Sequence, residues 1–261
     1  MSVIRQYAMV LDAQAIGFGV VLNGIPLVQS EPSNRINSTT KITGWLVPGQ
    51  NVAELRLHAL PPPTALPRTP PPAPPPQPEF TILFHEFRAG LGSEGNTDLQ
   101  RFSYDASIST LPLTRTLSFA ASDIPTWAWV RAAAVSPTAA DRSEILSLLQ
   151  GFMTELQARD VATAAERLTP MLHEQAVALG TSADELNASF EQFVMGLSGA
   201  DDWHVTPLDD AELNLVPIAG GRLQKAERRG RAPAVQARSS NGSYLFEPYL
   251  CKLDGKWLII R

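Results

Sequence analysis

Apolar residues recur along this chain with two different periods. Up to Leu60 they come in short blocks, several alternating with polar residues, which predicts strands. The candidates are Val3–Leu11, Phe18–Leu22, Ile25–Val28, Ile42–Val47 and Val52–Leu60. Asn23-Gly24 joins two of them, and Asn-Gly is a hairpin signal because both central turn residues must reach positive φ. Pro48-Gly49 reads as a turn and the polar stretch Glu31–Thr40 as a loop. Phe80–Arg88, Leu99–Ser107 and Arg115–Ala121 continue the strand pattern. Short strands at this spacing predict an antiparallel β-sandwich over residues 1–130. Trp45 is expected to fill its core, as large aromatics on alternating strands do.

Residues 61–78 hold eleven prolines. Proline lacks an amide donor and fixes φ, so the segment can join neither a helix nor a central strand, and polyproline II is its natural form. It reads as an exposed insertion within the sandwich. The competing reading is a docking site for an aromatic-lined groove. Trp127 and Trp129 follow the last strand, on one face if the backbone there is extended. The domain boundary is expected near Ala132–Pro137.

After Pro137 the period becomes helical. Thr138 can cap a helix with Asp141 in its first turn, and Ile145, Leu148, Leu149, Phe152 and Leu156 form one stripe. Asp160 can cap a second helix, which Pro170 must kink or split, with Gly180 as its stop. Ser182 and Glu185 have capping-box spacing before the stripe Leu186, Phe190, Phe193, Val194 and Leu197. Strands follow around Trp203–Leu208, Glu212–Ile218, Arg222–Arg228 and Ala234–Ser239. The last hairpin turns at Asp254-Gly255 and ends in Trp257-Leu258-Ile259-Ile260. Helices followed by an antiparallel sheet predict an α+β domain over residues 138–261. Trp257 is expected beneath the helices, against Phe152 or Phe193.

Composition narrows the function classes. The formal charge is −5, so no global positive field favours nucleic acid. A single cysteine, Cys251, excludes an intramolecular disulfide and requires no oxidising compartment. The start, MSVIRQYAMVLDAQ, lacks a secretory pattern, and no run approaches the roughly 20 apolar residues of a membrane span. A cytoplasmic protein is expected. The four histidines, His58, His85, His173 and His204, form no metal-ligand spacing, and neither a nucleophile elbow nor a nucleotide loop is present. No cofactor is expected, and Cys251 reads as an inert core thiol.

Two stretches resemble known families. The run VVLNGIPL followed by GWLVPGQNVAELRLHAL looks like the β-sandwich or jelly-roll modules appended to carbohydrate-active enzymes. Sugar binding does not follow, because only Trp45 stands nearby as an aromatic platform. ILSLLQGFMTELQARDVATAAERLTP and the terminal YLCKLDGKWLIIR resemble the nuclear transport factor 2-like, or cystatin-like, roll. That resemblance covers about half of the chain and implies a cone-shaped cavity between helices and sheet. In catalytic members an Asp and a His share the cavity, and Asp160, His173, Asp202 and His204 match those roles here, with Tyr244 or Tyr249 assisting. This fold hosts enzymes, ligand binders and protein-binding modules alike.

The alternative to an open cavity is one plugged by Phe152, Phe190, Phe193, Trp203 and Trp257. Trp203 and His204 face opposite sides of a strand, so a core Trp203 turns His204 outward. The basic run Arg222, Lys225, Arg228, Arg229 and Arg231 reads as a solvated hairpin tip or as a docking site for an acidic partner. Two functions follow. One is a noncatalytic protein-interaction module, such as a bacterial immunity protein or accessory scaffold. The other is a roll-type enzyme or small-molecule binder using an acid/base pair in its cavity.

Overall fold

The computed structural model describes residues 5–31, 35–60, 77–87 and 96–261. The chain divides into two compact units, Met1–Pro125 and Thr126–Arg261. Residues 126–137 therefore belong with the second unit. Most of the expected proline-rich insertion, residues 61–76, lies outside the described residues, as do 88–95.

The first unit contains β1 (Gln6–Gln14), β2 (Ile16–Leu22), β3 (Ile25–Ser30), β4 (Ile36–Lys41), β5 (Gly49–Ala59), β6 (Glu79–Phe87), β7 (Thr97–Tyr104) and β8 (Leu113–Ala121). They pair antiparallel in two sheets, ordered β4-β1-β6-β7 and β3-β2-β5-β8. The alternation in β5 sends Ala53, Leu55 and Leu57 inward and Glu54 and Arg56 to solvent. Rings join the sheets into a sandwich: Phe18 meets Phe80 at 5.5 Å and Phe84 stacks on Phe119 at 4.8 Å.

Three local expectations fail here. Ile42–Val47 is not a strand, because Thr43–Trp45 makes a 3₁₀ turn and Leu46 takes the buried position. Trp45 is only half-buried and does not fill the sandwich. The polar stretch read as a loop contains β4, an edge strand whose exposed Asn37, Thr39 and Lys41 erase the apolar alternation.

The second unit opens with a short helix, α1 (Ala128–Arg131), so the condition of extended backbone through its two tryptophans is not met. Both Trp127 and Trp129 are buried. Helices α2 (Ala139–Ala158), α3 (Val161–Arg167), α4 (Thr169–Leu179) and α5 (Ala183–Ser198) follow. The sequence signals explain their limits. Thr138 and Asp141 form a capping box at α2, as do Ser182 and Glu185 at α5. Pro170 falls in the first turn of α4 and splits the expected second helix into α3 and α4. Gly180 ends α4 with φ 69°, in the left-handed region that glycine enters without steric cost.

The remaining strands are β9 (His204–Val205), β10 (Leu213–Ile218), β11 (Leu223–Arg228), β12 (Ala232–Pro233), β13 (Val235–Ser239), β14 (Gly242–Phe246), β15 (Tyr249–Leu253) and β16 (Lys256–Ile259). β11 pairs with β12 at one end and with β15 at the other, while β13 pairs with β14 and β9. All these pairings are antiparallel, so helices precede an antiparallel sheet as expected. Ile145, Leu149, Phe152 and Leu156 of α2 share one buried cluster with Trp203, Leu250, Trp257 and Ile259. Phe193 does not belong to it, being 54% exposed, and Phe190 is half-buried.

A polar anchor fastens the helices to the terminal hairpin. The buried Asp141 carboxylate accepts from the Lys252 ammonium, the Thr138 amide at 2.9 Å and hydroxyl at 2.8 Å, and the Trp257 indole N–H at 3.0 Å. Lys252, the Thr138 amide, Trp257 and the Thr138 hydroxyl together hold this carboxyl well below the usual carboxylate range. A depressed pKa contributes stability in full above the unfolded value of about 3.9, lost as pH falls through the folded value. In urea titrations the midpoint gap between parent and Asp141→Asn is therefore expected to be wide at pH 7 and to narrow below about pH 4. A gap unchanged down to pH 2 would mean that the carboxylate's charge plays no part in the anchor.

Candidate functional site

The four residues matched to acid/base roles do not assemble. Asp160 is the exposed cap of α3, its Oδ1 accepting from the Thr163 amide at 3.2 Å. His173 lies exposed on α4. Asp202 accepts from the Ser240 amide and hydroxyl at 3.0 and 3.1 Å, and chiefly that amide lowers its pKa. His204 points outward from β9, because Trp203 beside it is buried with its indole N–H on the Leu156 carbonyl at 2.9 Å. Among the described residues, no hydrogen bond or ion pair joins any two of the four. No group of three or more His, Cys, Asp or Glu that could hold a metal ion occurs among the described residues. Tyr244 is buried among Phe152, Phe190, Phe193 and Phe246. Cys251 is fully buried, and burial pushes its thiol up to about 12, away from the thiolate a nucleophile needs.

The basic run is likewise not one solvated tip. Arg222, Arg229 and Arg231 are exposed. Lys225 is half-buried, its ammonium 2.9 Å from Glu247 and 3.6 Å from Glu227. Arg228 corrects the expectation outright, being only 7% exposed. Its guanidinium pairs with Glu212 and donates to the carbonyls of Thr206 and Pro207, both at 2.8 Å. A guanidinium can be buried when its donors find such partners, because the desolvation is then offset.

That arrangement makes Arg228 the inner support of a groove. The segment from Val205 to Leu213 runs beside α2 and is held from the helix as well. Gln157 accepts from the Val205 amide at 2.7 Å, and Gln150 donates to the Leu208 carbonyl at 2.9 Å. Arg142 grips the Asp210 side chain and carbonyl and the Leu213 carbonyl. Four side chains therefore fix the segment, leaving an open groove of about 580 Å³ against α2. Positions 150, 153, 154, 157 and 158 share one face of an α-helix and line it. Val205, Pro207 and Leu208 supply the opposite wall. None of these lining residues is titratable. A second opening of about 510 Å³ continues past Gln150 to Leu146, Arg142 and Asp210.

Sequence reading missed this groove, because its walls lie some fifty residues apart and neither carries a motif. The one local signal is Gln150 and Gln157, polar residues at a seven-residue interval on a helix whose other face is apolar. No family model, curated protein or solved structure matches the chain. No helix among the described residues is long and apolar enough to cross a membrane.

Proposed function

We propose that this chain is a noncatalytic protein-interaction module, whose second unit is a roll of the nuclear transport factor 2-like kind. In that reading it serves as an immunity protein or accessory scaffold in a bacterial cytoplasm. Support for the roll comes from four helices that share one buried core with the antiparallel strands following them in sequence. The observation that carries the functional reading is the braced groove beside α2. It is fixed in shape before anything binds, and none of its lining residues can donate or abstract a proton at neutral pH. Preorganisation lowers the ordering cost of association.

A photo-cross-linking amino acid placed at Thr154, an exposed groove position, tests the reading in the native cell. A discrete protein adduct is expected at Thr154, and none at Arg101 on the first unit. If Thr154 gives no adduct, and the intact protein turns over a substrate with activity lost in His204→Ala, the roll-type enzyme replaces this reading. In that case Asp160, His173, Asp202 and His204 return as its acid/base candidates.

A further inference from the structure

Asn-Gly occurs twice in the chain, at Asn23-Gly24 and Asn241-Gly242, and the fold treats the two differently. The dipeptide carries its own chemistry. A glycine amide nitrogen, once deprotonated, can attack Cγ of the preceding asparagine, because glycine has no side chain to crowd the approach. Attack requires the carboxamide to leave its partners and swing back over the backbone.

Asn23 is held against that motion. Its Nδ2 donates to the Trp45 carbonyl at 2.9 Å and to Asn51 Oδ1 at 2.8 Å, while its Oδ1 accepts from the Val52 amide at 3.1 Å. Its backbone amide is also bound, donating to the Val52 carbonyl at 2.8 Å. Asn241 is exposed, in the two-residue turn Ser240-Asn241 between β13 and β14. Among the described residues one bond holds its carboxamide, from Nδ2 to the Gly196 carbonyl at 2.9 Å. Gly242 pairs with Ser239 in the last rung of the ladder, and end rungs fray most readily.

That single bond has a structural role. Gly196 and Leu197 lie in the last turn of α5, where carbonyls have no donor within the helix. Asn241 Nδ2 serves the first of them, and Ser239 Oγ serves the second at 2.7 Å. The tip of the hairpin therefore caps α5. Asp202 steadies the tip by accepting from the Ser240 amide at 3.0 Å. The fit is close at Gly242, where a Cβ would stand 3.1 Å from Leu197 Cδ2.

We infer that Asn241 is a deamidation site whose conversion uncaps α5, while the clamp around Asn23 protects the other Asn-Gly. The Gly242 nitrogen gives its proton to hydroxide and forms a bond to Asn241 Cγ. The Cγ–Nδ2 bond breaks and Nδ2 leaves as ammonia, which closes a succinimide ring. Water then opens the ring at either carbonyl to give aspartate or isoaspartate, and nothing is oxidised or reduced. Either product sets a carboxylate where a donor stood, beside a helix C-terminus that disfavours negative charge. Isoaspartate also adds a methylene to the backbone of the turn.

Incubation of the intact protein in mildly alkaline buffer, followed site by site with digestion and mass spectrometry, tests this. Asn241 is expected to deamidate at least about tenfold faster than Asn23, because two fewer side-chain bonds must open. In guanidinium chloride the two rates should converge, as the dipeptide then acts without the fold. The Asn241 products should separate by chromatography into aspartate and isoaspartate. Asn241→Asp should speed hydrogen exchange in the last turn of α5 about fivefold, the worth of one capping bond. Equal native rates at the two sites, or an Asn241 that stays intact in the folded chain, would overturn the site. Aspartate without isoaspartate would overturn the succinimide route. Exchange in α5 unchanged by Asn241→Asp would show that the modification leaves the helix capped, and the uncapping would be withdrawn.

Discussion

Trp257→Ala is expected to destabilise the second unit by about 3–5 kcal/mol, the usual effect of removing a buried aromatic. Trp257 is 4% exposed and shares its cluster with Phe152, Leu250 and Ile259. Truncation leaves a cavity that close-packed neighbours close only in part. It also removes the indole N–H from Asp141, while the Lys252 ammonium loses the ring 5.9 Å away. Against a typical domain stability of 5–15 kcal/mol this is a large fraction. In a unit of this size it corresponds to a melting temperature lower by roughly 10–20 °C. Trp257→Phe keeps most of the apolar volume and gives up the hydrogen bond, so its effect should be nearer 1–2 kcal/mol. Both are read by thermal denaturation of the intact protein. An alanine variant melting within about two degrees of the parent would show that β16 does not face the helices.

Such a result would reach back to the sequence, because the inward face of the last strand was legible there. The Asp-Gly turn needs two positive φ values, and Asp254 and Gly255 take 52° and 79°. Asn23 and Gly24 do the same at 53° and 79°. Capping boxes and Pro170 located the helix ends, since those signals act within one turn of backbone. What stayed illegible depends on partners distant in sequence. Arg228 looks like any surface arginine until Glu212 and two carbonyls of the groove wall surround it. Phe193 continues the stripe of α5 with Phe190, yet stands at the margin of the sheet and keeps half its surface in solvent. The edge strand β4 buries so little that its residues carry no hydrophobic period. The groove follows the same rule, since its shape belongs to the bonds between α2 and the Val205–Leu213 segment.

Asn51 shows a motif whose meaning the structure does supply. It is fully buried at the start of the long strand β5, and its carboxamide is saturated. Oδ1 accepts from Asn23 Nδ2 and from the Val47 amide, both at 2.8 Å, and Nδ2 donates to the carbonyls of Val47 and Gly49, both at 3.0 Å. Asn23, in the hairpin turn, completes the clamp through the Trp45 carbonyl at 2.9 Å and the Val52 amide at 3.1 Å. The asparagines of the run that resembles accessory sandwich modules therefore pin the 3₁₀ turn to the β2–β3 hairpin. This local folding requirement accounts for their spacing without any ligand.

Asn51→Ala leaves the Val47 amide and two carbonyls without their partner, and each unsatisfied buried group costs about 1–3 kcal/mol. Water can reach the exposed Gly49 side of the loop, so a net loss of about 2–4 kcal/mol is expected in the first unit. Asn51→Asp separates the clamp from simple packing. At pH 7 it sets a carboxylate oxygen against the carbonyls of Val47 and Gly49, with no donor to offer them. Once protonated, the same side chain regains one O–H donor. The variant's folded-state pKa is accordingly raised above the ordinary aspartate value, so its deficit relative to the parent should be largest at pH 7 and shrink towards pH 4. Denaturant-dependent hydrogen exchange at the Val47 and Val52 amides reads both variants within the first unit. Equal deficits for Asn51→Asp at the two pH values would mean that the side chain acts by volume alone, and the clamp would no longer explain the motif.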